Sequence, residues 1–233
     1  MAKPVCVVVG VGPGNGAAFA RKFAKEGFRV ALLARNLDYL KTLEAAIPDS
    51  RAYAYDVTAI GQAPKVFAQI KADLGPVEVL IYNAGAGRFT PIDTATPDEF
   101  EMAWRVNALG CAVACQQVIP DMRAARRGYI VIIGATASVK AGAHAAPFAA
   151  AKAAQRGLAQ SMARHLGPDR IHVAYVILDG VVNLERTRKA MPDKPDEFFM
   201  QPDDIAESVY FLTRQPPSAW SFETDLRPFG EKW

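Results

Sequence analysis

Val5-Cys-Val-Val-Val-Gly-Val-Gly-Pro-Gly-Asn-Gly16 is the stretch that decides the fold. Val5 to Val9 is apolar at every position, the mark of a strand buried on both faces. Gly10, Gly14 and Gly16 then turn the chain sharply, and residues 17–25 are rich in helix formers. Strand, glycine turn and helix in that order is the setting in which a dinucleotide binds. Glycines let the backbone approach a pyrophosphate whose charge the helix N-terminus stabilises, and Asn15 stands beside them. A glycine cluster alone has a plainer reading, because many strand-to-helix turns hold glycine for geometry only.

Outward from this turn, strand and helix alternate. Residues 28–33 read as a second strand, Asn36 caps a helix through about residue 46, and a short strand follows near 51–55. Thr58 opens a helix to about residue 74, and Val77–Tyr82 is a fourth apolar strand. A long helix covers residues 97–126, with Thr96 as its cap and Glu99 completing a capping box. Residues 129–133 are strand, 149–166 helix, 171–178 strand, 202–212 helix and 224–226 a short last strand. The alternation predicts one α/β domain over residues 1–233. Its architecture is a doubly wound parallel sheet of about seven strands with helices on both faces. Residues 180–201 are the one irregular stretch and the natural candidate for a mobile substrate lid.

Bulk properties narrow the setting. At 233 residues and 51% hydrophobic content the chain can bury a full core. No apolar run reaches the ~18 residues needed to cross a bilayer, and residues 5–9 are too few for a signal-peptide core. A net charge of +3 without a basic block argues against nucleic acid. Cys6, Cys111 and Cys115 lack metal-type spacing, and their odd number argues against a disulfide framework. Cys111 and Cys115 are expected on one buried helix face. The expectation is a reduced, cytoplasmic protein that does not enter a membrane.

Several further motifs share one register. The spacing Gly10-x-x-x-Gly14-x-Gly16 resembles that of the short-chain dehydrogenase/reductase family, which has a Rossmann-type fold. Asp56-Val57 matches the family's adenine-contacting Asp, and Asn83-Ala84-Gly85 its N-A-G motif beside the cofactor. Asn107, in Val106-Asn-Ala-Leu-Gly110, resembles the Asn that helps organise a proton-relay water. Gln201-Pro-Asp-Asp-Ile-Ala-Glu207 resembles the helix start that follows the substrate loop. Taken singly, Asp56 is a turn former and Asn107 a helix-kinking polar residue; in order and at the right intervals they imply a nicotinamide cofactor. No carboxylate closes the second strand at Ala34-Arg35-Asn36, where selectivity for NAD usually needs one. Arg35 there suits a 2′-phosphate through charge-assisted hydrogen bonds, so NADP(H) is expected over NAD(H).

The same resemblance implies an Asn–Ser–Tyr–Lys tetrad, and here the chain departs from it. Phe148-Ala-Ala-Ala-Lys152 stands where the family carries Tyr-x-x-x-Lys, and Ala135 stands at the serine position thirteen residues earlier. Phe148 neither donates nor accepts a proton. Asn107 and Lys152 remain, and Lys152 is expected to contact the nicotinamide ribose. General acid–base catalysis supplies ~10²–10⁴-fold, so an ordinary ketone would react very slowly without substitutes. Ser138, Thr136 and His144 are the candidate substitutes, Ser138 the foremost; the plainer reading of Ser138 and His144 is a loop hydroxyl and a loop histidine. His144 precedes Pro147 and is expected outside the helix. Leu178-Asp179-Gly180 replaces the family's Pro-Gly, leaving Asp179 near the expected nicotinamide carboxamide.

Three readings stay open at this point. One is an NADP(H)-dependent oxidoreductase acting on a small carbonyl, alcohol or activated alkene. The others are an NADP(H)-binding sensor and a scaffold subunit. The resemblance further implies a homodimer or homotetramer through the helices at 97–126 and 149–166. Ala108, Cys111, Ala112 and Cys115 suit either such an interface or an internal core.

Overall fold

The computed structural model describes residues 3–231. Trp233, expected to pack on a neighbouring subunit or to close the sheet edge, lies outside the described residues. The first half of the chain runs β1 (Val5–Val9), α1 (Asn15–Lys25), β2 (Arg29–Ala34), α2 (Leu37–Ala46), β3 (Ser50–Ala54), α3 (Ala63–Leu74) and β4 (Val77–Tyr82). The middle runs α4 (Pro97–Trp104), α5 (Gly110–Ala125), β5 (Gly128–Ile133), α6 (Ala146–Leu166) and β6 (Ile171–Leu178). Last come β7 (Val181–Val182), α7 (Glu185–Ala190), β8 (Phe199–Met200), α8 (Pro202–Leu212) and β9 (Glu223–Leu226).

Seven strands form one parallel sheet in the order β3-β2-β1-β4-β5-β6-β9. All five residues of β1 are buried, as a central parallel strand requires. Alternation divides them between two cores. Val5, Val7 and Val9 join Phe67 and Ile70 of α3, Cys111 and Cys115 of α5, and Ala159 of α6. Cys6 and Val8 join Phe19 and Phe23 of α1, Leu40 of α2, and Ile205 and Val209 of α8. Each fully buried valine contributes about 1.5–3 kcal/mol. Strand order reverses between β1 and β4, and in such sheets ligands bind at the strands' carboxyl ends beside that reversal.

Four local expectations are corrected. The helix expected over 97–126 is not regular: a π turn at Arg105–Leu109 separates α4 from α5. Asn107 Nδ2 donates to Ala103 O, four residues back, at 2.8 Å and to Ala86 O at 2.5 Å. A side chain thus enters the helix ladder, the kind of intrusion that goes with a widened turn. The Thr96–Glu99 capping box is present. Thr58 opens no helix, because its N–H and hydroxyl both donate to Asp56 Oδ1, and α3 starts at Ala63. Helix α6 begins at Ala146 rather than 149, with Pro147 in its first turn and His144 outside. Residues 180–201, expected to be irregular, carry β7, α7 and β8. There β7 pairs with β8, Arg188 Nε donates to Asn183 Oδ1, and the Arg188 guanidinium sits 4.1 Å from the Phe199 ring.

Cys6, Cys111 and Cys115 are free, buried thiols, and Cys111 and Cys115 lie one turn apart on the core face of α5. Ala108 is buried as well. The internal-core reading therefore holds for these three residues. Among the described residues no helix is long and apolar enough to cross a membrane, and no cluster of His, Cys, Asp and Glu is arranged to hold a metal ion.

Candidate active site

The glycine turn is built by contact with the end of β4. Gly10 has φ +89°, and a Cβ there would lie 2.5 Å from Ala84 N. Asn83 Nδ2 donates to Gly10 O at 2.7 Å, and Asn83 N–H donates to Val9 O at 2.9 Å. A Cβ on Gly16 would lie 2.6 Å from Val11 Cα. Gly10 is therefore packed against Asn83 and Ala84, and Gly16 against Gly10 and Val11. Helix α1 starts just beyond, with no side-chain cap and no acidic residue in its first turn. An uncapped, acid-free helix start suits an anion. Asn15 Oδ1 is buried without a partner, which suits a hydroxyl donor from a ligand.

At the next two strand ends lie Arg35 and Asp56. Arg35 follows β2 directly and is exposed, and among the described residues it forms no ion pair. Burial pushes the Asp56 carboxyl up, but two hydrogen bonds from Thr58 and the charge of Arg35 together hold it below its ordinary value. Val57 continues this wall: a Cβ on Gly110 would meet Val57 O at 2.8 Å. The observed contacts of Val57 are thus with the start of α5.

Beyond β4, the fold brings Gly85, Asn107 and Lys152 together. A Cβ on Gly85 would lie 3.5 Å from Asn107 Oδ1 and 3.7 Å from Lys152 Nζ. Asn107 Oδ1 is buried with no partner, a second orphaned acceptor, beside Gly85. Lys152 is 4% exposed, and its ammonium donates to Ile133 O at 2.9 Å and Gln155 Oε1 at 3.0 Å. Burial pulls the Lys152 pKa down to about 8. The two orphaned acceptors, the lysine and the open helix start suit a dinucleotide rich in phosphate and hydroxyl groups.

The side where chemistry is expected is apolar. The Phe148 ring fills the space over Gly87, where a Cβ would come within 2.5 Å of Phe148 Cδ2. Phe89 tilts against the same ring at 5.7 Å between centroids, and Lys152 Nζ lies 5.9 Å from its centre. The candidate hydroxyls are engaged elsewhere. Ser138 is buried and its hydroxyl donates to Ala135 O at 2.7 Å. Thr136 Oγ1 donates to Asp179 Oδ1 at 2.6 Å, and Asp179 lies 3.6 Å from Arg227 Nη2. His144 is exposed in the loop before α6.

Two neighbours of these residues were not foreseen from sequence. Gln155 is fully buried, with Nε2 donating to Asn107 O at 2.8 Å. Its signal was a polar residue three positions after Lys152, on the same helix face. Leu184 reaches the glycine turn, where a Cβ on Gly14 would fall 2.2 Å from Leu184 Cδ2. No local sequence signal announces that contact.

Comparison with known proteins agrees with this geometry. The short chain dehydrogenase family matches residues 4–194. Oxidoreductase asL5 of Sarocladium schorii is 28% identical over 222 residues, covering 91% of this chain and 89% of its own. A short-chain dehydrogenase of Rhodopseudomonas palustris is 34% identical at TM-score 0.84, covering 97% of this chain and 99% of its own. A metagenomic short-chain oxidoreductase, solved in complex with NADP, is 29% identical at TM-score 0.85, covering 99% of both chains. The match over most of the chain, the Rossmann-type sheet and the glycine turn locked to Asn83-Ala84 lead to one conclusion: this chain belongs to the short chain dehydrogenase family.

Proposed function

We propose that this chain is an NADP(H)-dependent oxidoreductase whose substrate needs no side-chain proton at its reacting oxygen, an activated alkene above all. The observation that carries this reading is the apolar surface of Phe148 over Gly87, with Phe89 against its ring and Thr136 and Ser138 both turned to other acceptors. The bound cofactor supplies a hydride. Arg35 holds its 2′-phosphate, the first turn of α1 its pyrophosphate, and Lys152 with Asn107 the ribose beside the reacting ring. The complex of the metagenomic relative with NADP supports that choice of cofactor.

An alkene conjugated to a carbonyl accepts hydride at its β-carbon, and the resulting enolate takes a proton from water at the α-carbon. Such a reaction tolerates phenylalanine where a ketone requires a phenol. Residues 180–201 serve as the lid, with Leu184 on Gly14 as the point of closure. The same reading includes a homodimer or homotetramer through α4, α5 and α6, supported by the exposed Met102 and Trp104 of α4. The three reduced thiols agree with a cytoplasmic setting.

The test is NADPH oxidation with a cyclic enone against the saturated ketone of the same skeleton. Turnover of the enone at least ~100-fold above the ketone is expected, within the range that general acid–base catalysis spans. NADPH binding with neither substrate consumed would instead favour a cofactor-holding sensor, the reading to which the engaged hydroxyls of Thr136 and Ser138 also lend weight.

A further inference from the structure

Gln155 stands between two groups that the fold could have left to solvent. Its Oε1 accepts from Lys152 Nζ at 3.0 Å and its Nε2 donates to Asn107 O at 2.8 Å. Chemistry fixes the orientation of the amide: an ammonium has only protons to offer and a carbonyl has only lone pairs. The side chain is 0% exposed, so both bonds are made inside the protein. The main-chain carbonyl that it engages belongs to the π turn at Arg105–Leu109, whose shape the Asn107 side chain helps to set.

We propose that Gln155 is a positioning residue that fixes the Lys152 ammonium at the groove beside Gly85 and seals its interior side against water. The inference rests on the reading that Lys152 holds the cofactor. An amide hydrogen-bonds at both ends but passes no proton along, because that would require its imidic tautomer. Lys152 is thereby an aimed, static cation, and a proton consumed at the substrate reaches it by another route. This agrees with the loss of the tyrosine: a lysine cut off from solvent on one side and facing Phe148 on the other has no group to recharge.

The surroundings sharpen the test. The titratable groups facing Lys152 are Cys111 from α5 and Tyr175 from β6, whose hydroxyl donates to Lys152 O at 3.3 Å. Burial raises both pKa values, so both groups are neutral at pH 7. No change in a neighbour's charge near neutrality obscures what happens at Gln155.

The experiment follows the ¹⁵Nζ and ¹³Cε resonances of Lys152 in the full chain, in the parent, Gln155→Ala and Gln155→Glu. In the parent the ammonium protons exchange slowly enough to be observed. In Gln155→Ala, which leaves room for water, exchange accelerates about ten-fold or more. In Gln155→Glu, nearly the same shape, the Lys152 titration midpoint rises by about one pH unit or more, because a carboxylate replaces a neutral acceptor. Equal exchange in parent and Gln155→Ala, or an unmoved midpoint in Gln155→Glu, overturns the proposal. Should the alanine variant not fold, the glutamate variant decides alone. NADPH affinity of the parent is measured in parallel: a parent that binds no NADPH refutes the cofactor reading, while the resonances still judge Gln155.

Discussion

The end of the sheet at β1, β2 and β4 and the end at β5 and β6 were built under different constraints. At the first, a Cβ on Gly10 would fall on the Asn83-Ala84 backbone and one on Gly16 on Val11 and Gly10, in the motifs that carry the family resemblance. At the second, Ala135, Phe148 and Asp179 stand where the resemblance implies Ser, Tyr and Pro, and β5 and β6 pair in unbroken register. The difference teaches where a family's residues are held by the fold and where only by chemistry. A glycine whose absent Cβ would fall inside a neighbouring backbone cannot change without moving a strand. A side chain at a position such as Phe148, one side of which meets only another side chain, can change while the helix beneath it stays as it was.

The largest effect expected from this contrast is at Gly10. Gly10→Ala combines a left-handed φ of +89° with a Cβ 2.5 Å from Ala84 N. We expect a loss of about 4 kcal/mol or more, or no folded protein at all, measured by denaturant midpoint. A stable Gly10→Ala protein would show that the binding end is not locked by packing.

At the other end, Phe148→Tyr with Ala135→Ser should leave stability nearly unchanged and raise ketone reduction by ~10²-fold or more. Absence of any gain would mean that this end lacks more than two groups, with Asp179 in place of the family's proline the next residue to revert.

Lys152 supplies a pH-dependent contrast. Its folded pKa of about 8 lies below its ordinary 10.5, so between those values the unfolded chain holds more protons. Stability therefore rises with pH from about 8 to about 10, by up to about 3 kcal/mol. Lys152→Met removes that rise, and chemical denaturation of parent and variant at pH 7, 8.5 and 10 reads it. Parallel pH profiles for the two proteins would contradict the buried charge. The smallest effect concerns cofactor choice: Arg35→Ala should weaken NADPH binding about 10-fold, roughly 1.4 kcal/mol, with NADH binding unmoved. An equal loss for both cofactors would assign Arg35 a general role rather than recognition of the 2′-phosphate.

Much of the fold was legible before any coordinate. Asn36 caps α2 through Tyr39 N–H, as its residue type suggests, and the capping box of α4 was readable from Thr96 and Glu99. The failures have physical reasons. Thr58 looked like a cap but spends both its donors on Asp56, a choice that depends on where the third strand ends. The π turn at Asn107 needs Ala86, twenty-one residues away, as a second acceptor. Ser138 carried the right chemistry at roughly the right place, and only the loop's path reveals that its hydroxyl turns back to Ala135.

The sequence by itself determined the alternation of elements, the glycine turn and the absence of a hydroxyl at positions 135 and 148. Each of these is local: an apolar run, an absent Cβ or an absent hydroxyl has the same consequence in any setting. Tertiary structure alone decided that Leu184 lies on Gly14, that Phe89 meets Phe148, and that Gln155 joins Lys152 to the Asn107 carbonyl. Those contacts join segments tens of residues apart, except for the turn of α6 that carries Lys152 and Gln155. Their geometry is set by how seven strands and the helices on both faces pack, which no local pattern encodes.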